Sequence, residues 1–237
     1  MPVSRGLRVD RGLARQTVAA LGGRFSTELG IDVDAGPDQV ERWALAATLF
    51  GARISAVVAV RTYKVLAEAQ VRTLRDAGSC RRERLIGLLD EGGYARYDFS
   101  TAKKLRQLAA VLRERSGGRV WLLVEGAASF DELVARLEQL PGWGRVTVTL
   151  FLRELRGVLP HADPPLDARA REAAIHLGLL REGSKAGDLS VLRREARSAE
   201  VDLRDLEAAL VRLALVHRRT MTACPGGTSC TVLLAGR

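Results

Sequence analysis

Cysteine, lysine and aromatic residues are all scarce in this chain of 237 residues. Cys80, Cys224 and Cys230 are its three cysteines, an odd number that excludes a disulfide framework as the basis of the fold. No stretch approaches the ~18 uninterrupted apolar residues of a membrane-spanning helix. The opening segment MPVSRGLRVDRGLARQ lacks the apolar core of a secretory signal peptide. A soluble cytoplasmic protein is expected. Of 37 basic residues only Lys64, Lys103, Lys104 and Lys185 are lysines, so amines for covalent chemistry are few.

Positive charge, in contrast, is abundant. The formal net charge is +9 and the pI is about 10.3, a balance that favours polyanion partners, nucleic acid first among them. Genomic base composition accounts for the arginine excess as readily as function does. With 47% hydrophobic residues the chain can bury a core as one domain or as two closely packed ones.

The apolar pattern is helical along almost the whole length, and the fold class expected is all-α. Val40, Trp43, Ala44 and Ala47 share one face after Pro37-Asp38, a helix start. A second helix begins near Ser55 and carries Val58 and Leu66. Residues 81–91 form a third, closed by Gly92-Gly93. Between Thr101 and Arg115, the residues Leu105, Leu108, Ala109 and Leu112 make one stripe, stopped by Ser116-Gly117-Gly118. The run Val120–Val124 has strand composition but no partner strand, so a short buried helix or loop is expected. Ser129-Phe-Asp-Glu132 has capping-box spacing before a helix over 129–140. Further helices are expected at roughly 145–156, 168–177, 187–198 and 202–217, and the tail from Met221 as loop.

Between the helices at 129–140 and 145–156 stands LPGWGRVT, residues 140–147. Two glycines permit a tight turn with positive φ and leave bare backbone that can approach a ligand. The helix that follows directs its unpaired N–H groups and positive dipole end the same way, and Arg145 adds a formal charge. Such an assembly suits a phosphate, although glycine-rich turns between helices are also common without any ligand.

The stretch DELVARLEQLPGWGRVTVTLFL resembles the helix-hairpin-helix of the endonuclease III superfamily of DNA glycosylases. Residues 37–67, 96–112, 166–180 and 213–224 resemble further segments of that family, in the family's order. The resemblance implies a two-domain helix-hairpin-helix glycosylase-like fold with a cleft between domains. A central helical barrel at 38–157 would hold the hairpin, and 1–37 with 158–237 would form a second helical domain. It implies a monomer acting on double-stranded DNA, cytoplasmic and nucleoid-associated, that hydrolyses the N-glycosidic bond of a flipped, damaged or mispaired base.

In this likeness Asp167 matches the family's catalytic carboxylate, which places fixed negative charge where positive charge develops on the sugar. Asp163 is a rival, because the interval from the hairpin is longer than usual. Asp167 is also well placed to cap the helix at 168–177. Gly142, Gly144, Arg145 and Thr147 would contact DNA, and Arg53 would fill the gap left by the flipped base, an ordinary surface salt bridge being its alternative. Tyr97 and Trp143 are base-pocket candidates, each with ordinary core packing as the alternative, and Tyr94 is a further aromatic near the site; the loop residue His161 is a candidate for acid–base work, with no role as the alternative.

The chain departs from the family at two places. Members that also cut the strand carry a lysine just after the hairpin, where this chain has Val146, and Arg145 cannot deprotonate to replace it. A glycosylase without lyase activity is therefore expected, with a displaced lysine (Lys104 or Lys185) the alternative. The family's four-cysteine iron–sulfur cluster cannot be built from three cysteines, so no cofactor and no metal is expected. Cys224 and Cys230 read as structural thiols rather than zinc ligands, with His217 the one nearby helper. A non-catalytic DNA-binding protein that keeps the hairpin is the alternative from another class.

Overall fold

A computed structural model describes residues 11–52, 54–94, 97–183 and 186–235. Among them every regular element is a helix, as the 3.6-residue apolar period predicts, and the only extended pairing is an isolated bridge between Arg156 and Leu159. The helices are α1 (Arg11–Leu21), α2 (Phe25–Glu28), α3 (Pro37–Phe50), α4 (Ala56–Glu68), α5 (Leu74–Ser79), α6 (Arg82–Leu89) and α7 (Asp98–Ser116). They continue with α8 (Val120–Val124), α9 (Phe130–Glu138), α10 (Arg145–Glu154), α11 (Ala168–His176), α12 (Asp188–Ser198), α13 (Leu203–His217) and α14 (Thr231–Ala235). None of the helices in the described residues is long and apolar enough to cross a membrane.

Local chemistry sets most helix starts. Pro37 opens α3, where a missing N–H costs nothing. Ser55 caps α4 by accepting from the Val58 N–H, and Thr73 and Asp76 form a reciprocal capping box on α5. At α9 the expected box is modified: Ser129 accepts from the Glu132 N–H, while the Glu132 carboxylate reaches the N–H of Ala128. Gly117, in the left-handed region at φ 58°, ends α7.

The chain divides into two compact units, 1–25 with 165–237 and 26–164. In the unit 26–164, α3 is central: Val40, Trp43, Ala44, Leu45, Ala46 and Ala47 have no exposed surface. It packs against α4, α5, α8 and α10. This unit reaches past residues 38 and 157 because both flanks are tied down. The Ser26 N–H donates to the buried Glu154 carboxylate (2.9 Å), and Arg156 pairs with Asp163 and donates to the Pro164 carbonyl (2.6 Å). Val120–Val124 is a short helix, with Val120 and Val124 buried, and the Glu41 carboxylate accepts from the N–H groups of Val120 (3.0 Å) and Trp121 (2.8 Å).

In the other unit, α13 is the spine, with α1, α11, α12 and α14 packed on it. Its apolar core includes Leu13, Ala173, Leu192, Leu206, Leu210, Leu213 and Leu233. The tail is more ordered than the sequence suggests. Short 3-10 turns at Arg218–Ala223 and Gly227–Ser229 lead into α14, which buries Leu233 after the equally buried Cys230. Burial of these two side chains outweighs the weak intrinsic helicity of a segment rich in glycine and threonine.

Candidate nucleic-acid interface

The turn between α9 and α10 alternates displayed and anchored residues. Gly142, Gly144, Arg145 and Val146 are exposed, whereas Trp143 and Thr147 are buried. Gly142 holds φ +81°, a conformation that disfavours any side chain, and open space surrounds the position its Cβ would take. Space around Gly144 is equally open, and that residue begins α10 without a side chain to cap it. The Val148 N–H, bonded to the Gly144 carbonyl at 3.1 Å, starts the helical ladder; the N–H groups of Arg145, Val146 and Thr147 precede it. Arg145 is 72% exposed and 3.8 Å from Glu138, a loose pair that leaves the guanidinium accessible.

Trp143 anchors this tip. It is 1% exposed, its Nε1–H donates to Thr48 Oγ1 (3.0 Å), and its ring meets Phe151 edge-on at 5.0 Å between centroids. Its place is the core of the unit, not a pocket for a base. Thr147 likewise turns inward, against Gly51 at the end of α3, where a Cβ would come within 2.0 Å of Thr147 Oγ1. Its backbone N–H, in the first turn of α10, is the one group it keeps for a ligand. Sequence reasoning missed Thr48 and Gly51, because neither carries a local signal for a partner about a hundred residues away. Their contacts bring the turn onto the segment that leads towards Arg53, which itself lies outside the described residues, as does Lys185.

Tyr97 is 45% exposed at the start of α7 beside the exposed Phe99, and its N–H bonds the Tyr94 carbonyl. Tyr94 is internal: its hydroxyl donates to the Leu49 carbonyl at 2.9 Å, and burial pushes its pKa well above the ordinary 10. His161 sits exposed in a loop with φ +63°.

The two aspartates differ in their bonds. Asp163 holds the Arg156 guanidinium, which fixes it as an ion-pair partner within the unit 26–164. In the other unit, Asp167 caps α11, its Oδ1 accepting from the N–H groups of Arg169 (2.8 Å) and Ala170 (3.4 Å). Both bonds fall on one oxygen, so the cap engages only half of the carboxylate. A shallow concavity of about 300 Å³ lies beside it, lined by Leu166, Ala168, Arg171, Glu172, Ile175 and Glu182.

Cys224 and Cys230 lie with His217, as the spacing suggests, and the fold adds His176 from the end of α11. Burial pushes the Cys224 thiol up, but hydrogen bonds from the Thr231 hydroxyl and the N–H groups of Gly226 and Thr231 outweigh it and hold the thiol at about 7. Cys80 belongs to the unit 26–164 and is not a member of this group.

Comparison with protein-family models, with curated proteins and with solved structures finds no match for this chain.

Proposed function

We propose that the protein is a monofunctional DNA glycosylase of the helix-hairpin-helix type, excising a damaged or mispaired base from duplex DNA. The observation that carries the reading is the anchored turn at 140–147. It presents bare glycine backbone, an uncapped helix N-terminus and an accessible arginine on one tip, and the buried Trp143 and Thr147 hold it rigid. Those are the groups that bind a phosphate, and such contacts position a duplex without reading its sequence. The strong positive charge adds a long-range, salt-sensitive attraction to DNA.

In this reading Asp167 stabilises the positive charge that develops on the deoxyribose as the base departs, or orients the attacking water. Val146, where strand-cutting relatives of the resembled family have lysine, supplies no amine, so the product is an abasic site in an uncut strand. The cap bonds of Asp167 favour a second reading, a DNA-binding protein without catalysis, because they give the carboxylate a structural role by themselves.

Duplexes carrying uracil, alkylated purines, 8-oxoguanine or mismatches, incubated with the protein and resolved with and without hot alkali, test both. Strand scission that appears only after alkali is the expected result. Tight binding with no base released from any duplex replaces the first reading by the second, and scission without alkali replaces it by a lyase.

A further inference from the structure

We infer that His176, His217, Cys224 and Cys230 form a structural zinc site that fastens the C-terminal segment to the ends of α11 and α13. Histidine and cysteine each occur three times in the chain, yet two of each converge here, with one ligand atom from each residue all within 4.8 Å of one another. A tetrahedral zinc ion, with Zn–S of about 2.3 Å and Zn–N of about 2.0 Å, sets its donors roughly 3.3–3.8 Å apart. The observed cluster is thus within a small contraction of a mononuclear site. His217 Nε2 already stands 3.2 Å from Cys230 Sγ, and the His176 and His217 rings meet edge-on with centroids 4.9 Å apart.

The surroundings point to a ligand as well. His176 Nε2 is buried with no hydrogen-bond partner, a costly state that a metal bond at that nitrogen would relieve. The N–H and hydroxyl of Thr231 lie 3.3 and 3.5 Å from Cys224 Sγ, the outer-shell support that a metal thiolate uses. Gly226 lets the loop between the cysteines close over His176. Its φ is +71°, and a Cβ there would fall 2.3 Å from the His176 carbonyl oxygen and 3.3 Å from the ring. The loop Cys224–Cys230 is therefore shaped around the imidazole.

Two thiolates and two neutral imidazoles select zinc by softness and geometry, and they leave no open position for substrate. Binding one Zn²⁺ displaces one proton from each thiol, giving an uncharged centre that suits burial; no electron transfer is involved. A two-iron cluster interposes a second iron and bridging sulfides, which would spread the donors wider than the 4.8 Å seen. Because His176 ends the helix that Asp167 caps, the ion holds the far end of that helix, but the inference does not depend on Asp167 being catalytic.

The test uses the full chain purified under reducing conditions without chelator. Elemental analysis should find about one zinc per chain. Replacement by Co²⁺ should give the intense ligand-field bands of a tetrahedral S2N2 site and a thiolate-to-cobalt charge-transfer band. Cys224→Ser and His176→Gln should lose stoichiometric zinc and Cys80→Ser should keep it. Cobalt spectroscopy of the wild-type chain settles the matter even where a variant fails to fold. A wild-type chain that stays metal-free in excess zinc, a six-coordinate cobalt spectrum, or a Cys224–Cys230 disulfide in the purified protein would each overturn the inference.

Discussion

Asp167 offers a perturbation in which structure and chemistry separate. Its Oδ1 makes one good cap bond, at 2.8 Å to the Arg169 N–H, and a second at the edge of useful length, 3.4 Å to Ala170. One effective cap bond is worth about 1 kcal/mol, so Asp167→Ala should lower Tm by roughly 2–4 °C in a chain of this size. Asp167→Asn keeps an acceptor oxygen of the same reach and caps equally well. It loses only the attraction of a charge to the helix dipole, ~0.3–1 kcal/mol and screened at this part-exposed site. Catalysis should respond differently. Removing a single preorganised charge-stabilising group typically costs ~10²–10³-fold in rate. Single-turnover base release from the best duplex of the lesion panel, with anisotropy titration of the same duplex, reads both effects. The Asn variant should fold and bind like wild type yet release base at least about a hundredfold more slowly. Release within about threefold of wild type would refute the assignment and leave Asp167 a cap.

Four other outcomes follow from the same structure. Arg145→Ala should leave Tm unchanged, since its contact with Glu138 is long and exposed, and should reduce the slope of log K against log salt by about 1 in DNA titrations. Trp143→Phe removes the bond to Thr48 and should cost about 1 kcal/mol, whereas Trp143→Ala opens the core and should cost about 3–5 kcal/mol, both read by chemical denaturation. Burial raises the Glu41 pKa above its ordinary 4.5 despite the Trp121, Val120 and Arg119 contacts. Stability from its protonated form is therefore full below about 4.5 and lost as pH rises through the raised value, so the stability of wild type relative to Glu41→Gln should fall over that interval. Val146→Lys sets an amine on a 68%-exposed site in the first turn of α10, where the helix dipole lowers its pKa; borohydride should then trap an adduct with abasic DNA, and no adduct would argue against a sugar beside this turn.

Helix positions were largely legible because their causes are local. Pro37, Ser55, Ser129 and Gly117 act within one turn of chain, and each marks a boundary that the structure keeps. Two kinds of feature were not legible. The first is order that depends on burial at a distance: α14 forms in a segment with loop-like composition because Cys230 and Leu233 have an apolar floor supplied by other helices. The second is convergence. His176 lies forty-one residues before His217, with no spacing rule to join them, and only the packing of α11 on α13 brings their rings together. Thr48 and Gly51 were silent for the same reason, each being informative only once its partner across the fold is known.

The turn at 140–147 shows why residues of one motif divide between display and anchorage. Bare amides are useful to an anion only if they stay fixed when it arrives, since ordering them at that moment would consume binding energy. Glycine cannot supply that rigidity; it brings the largest loss of conformational freedom on folding. Rigidity must come from the residues between and beyond the glycines, and those are Trp143, bonded to Thr48, and Thr147, packed on Gly51. Their burial removes them from direct contact with a ligand, but it also makes the geometry of Gly142 and Gly144 a property of the α3 core. Loss of the tryptophan should therefore weaken phosphate binding even in molecules that remain folded, and loss of Arg145 should weaken it without touching the fold. A turn serving only to reverse the chain would show neither dependence.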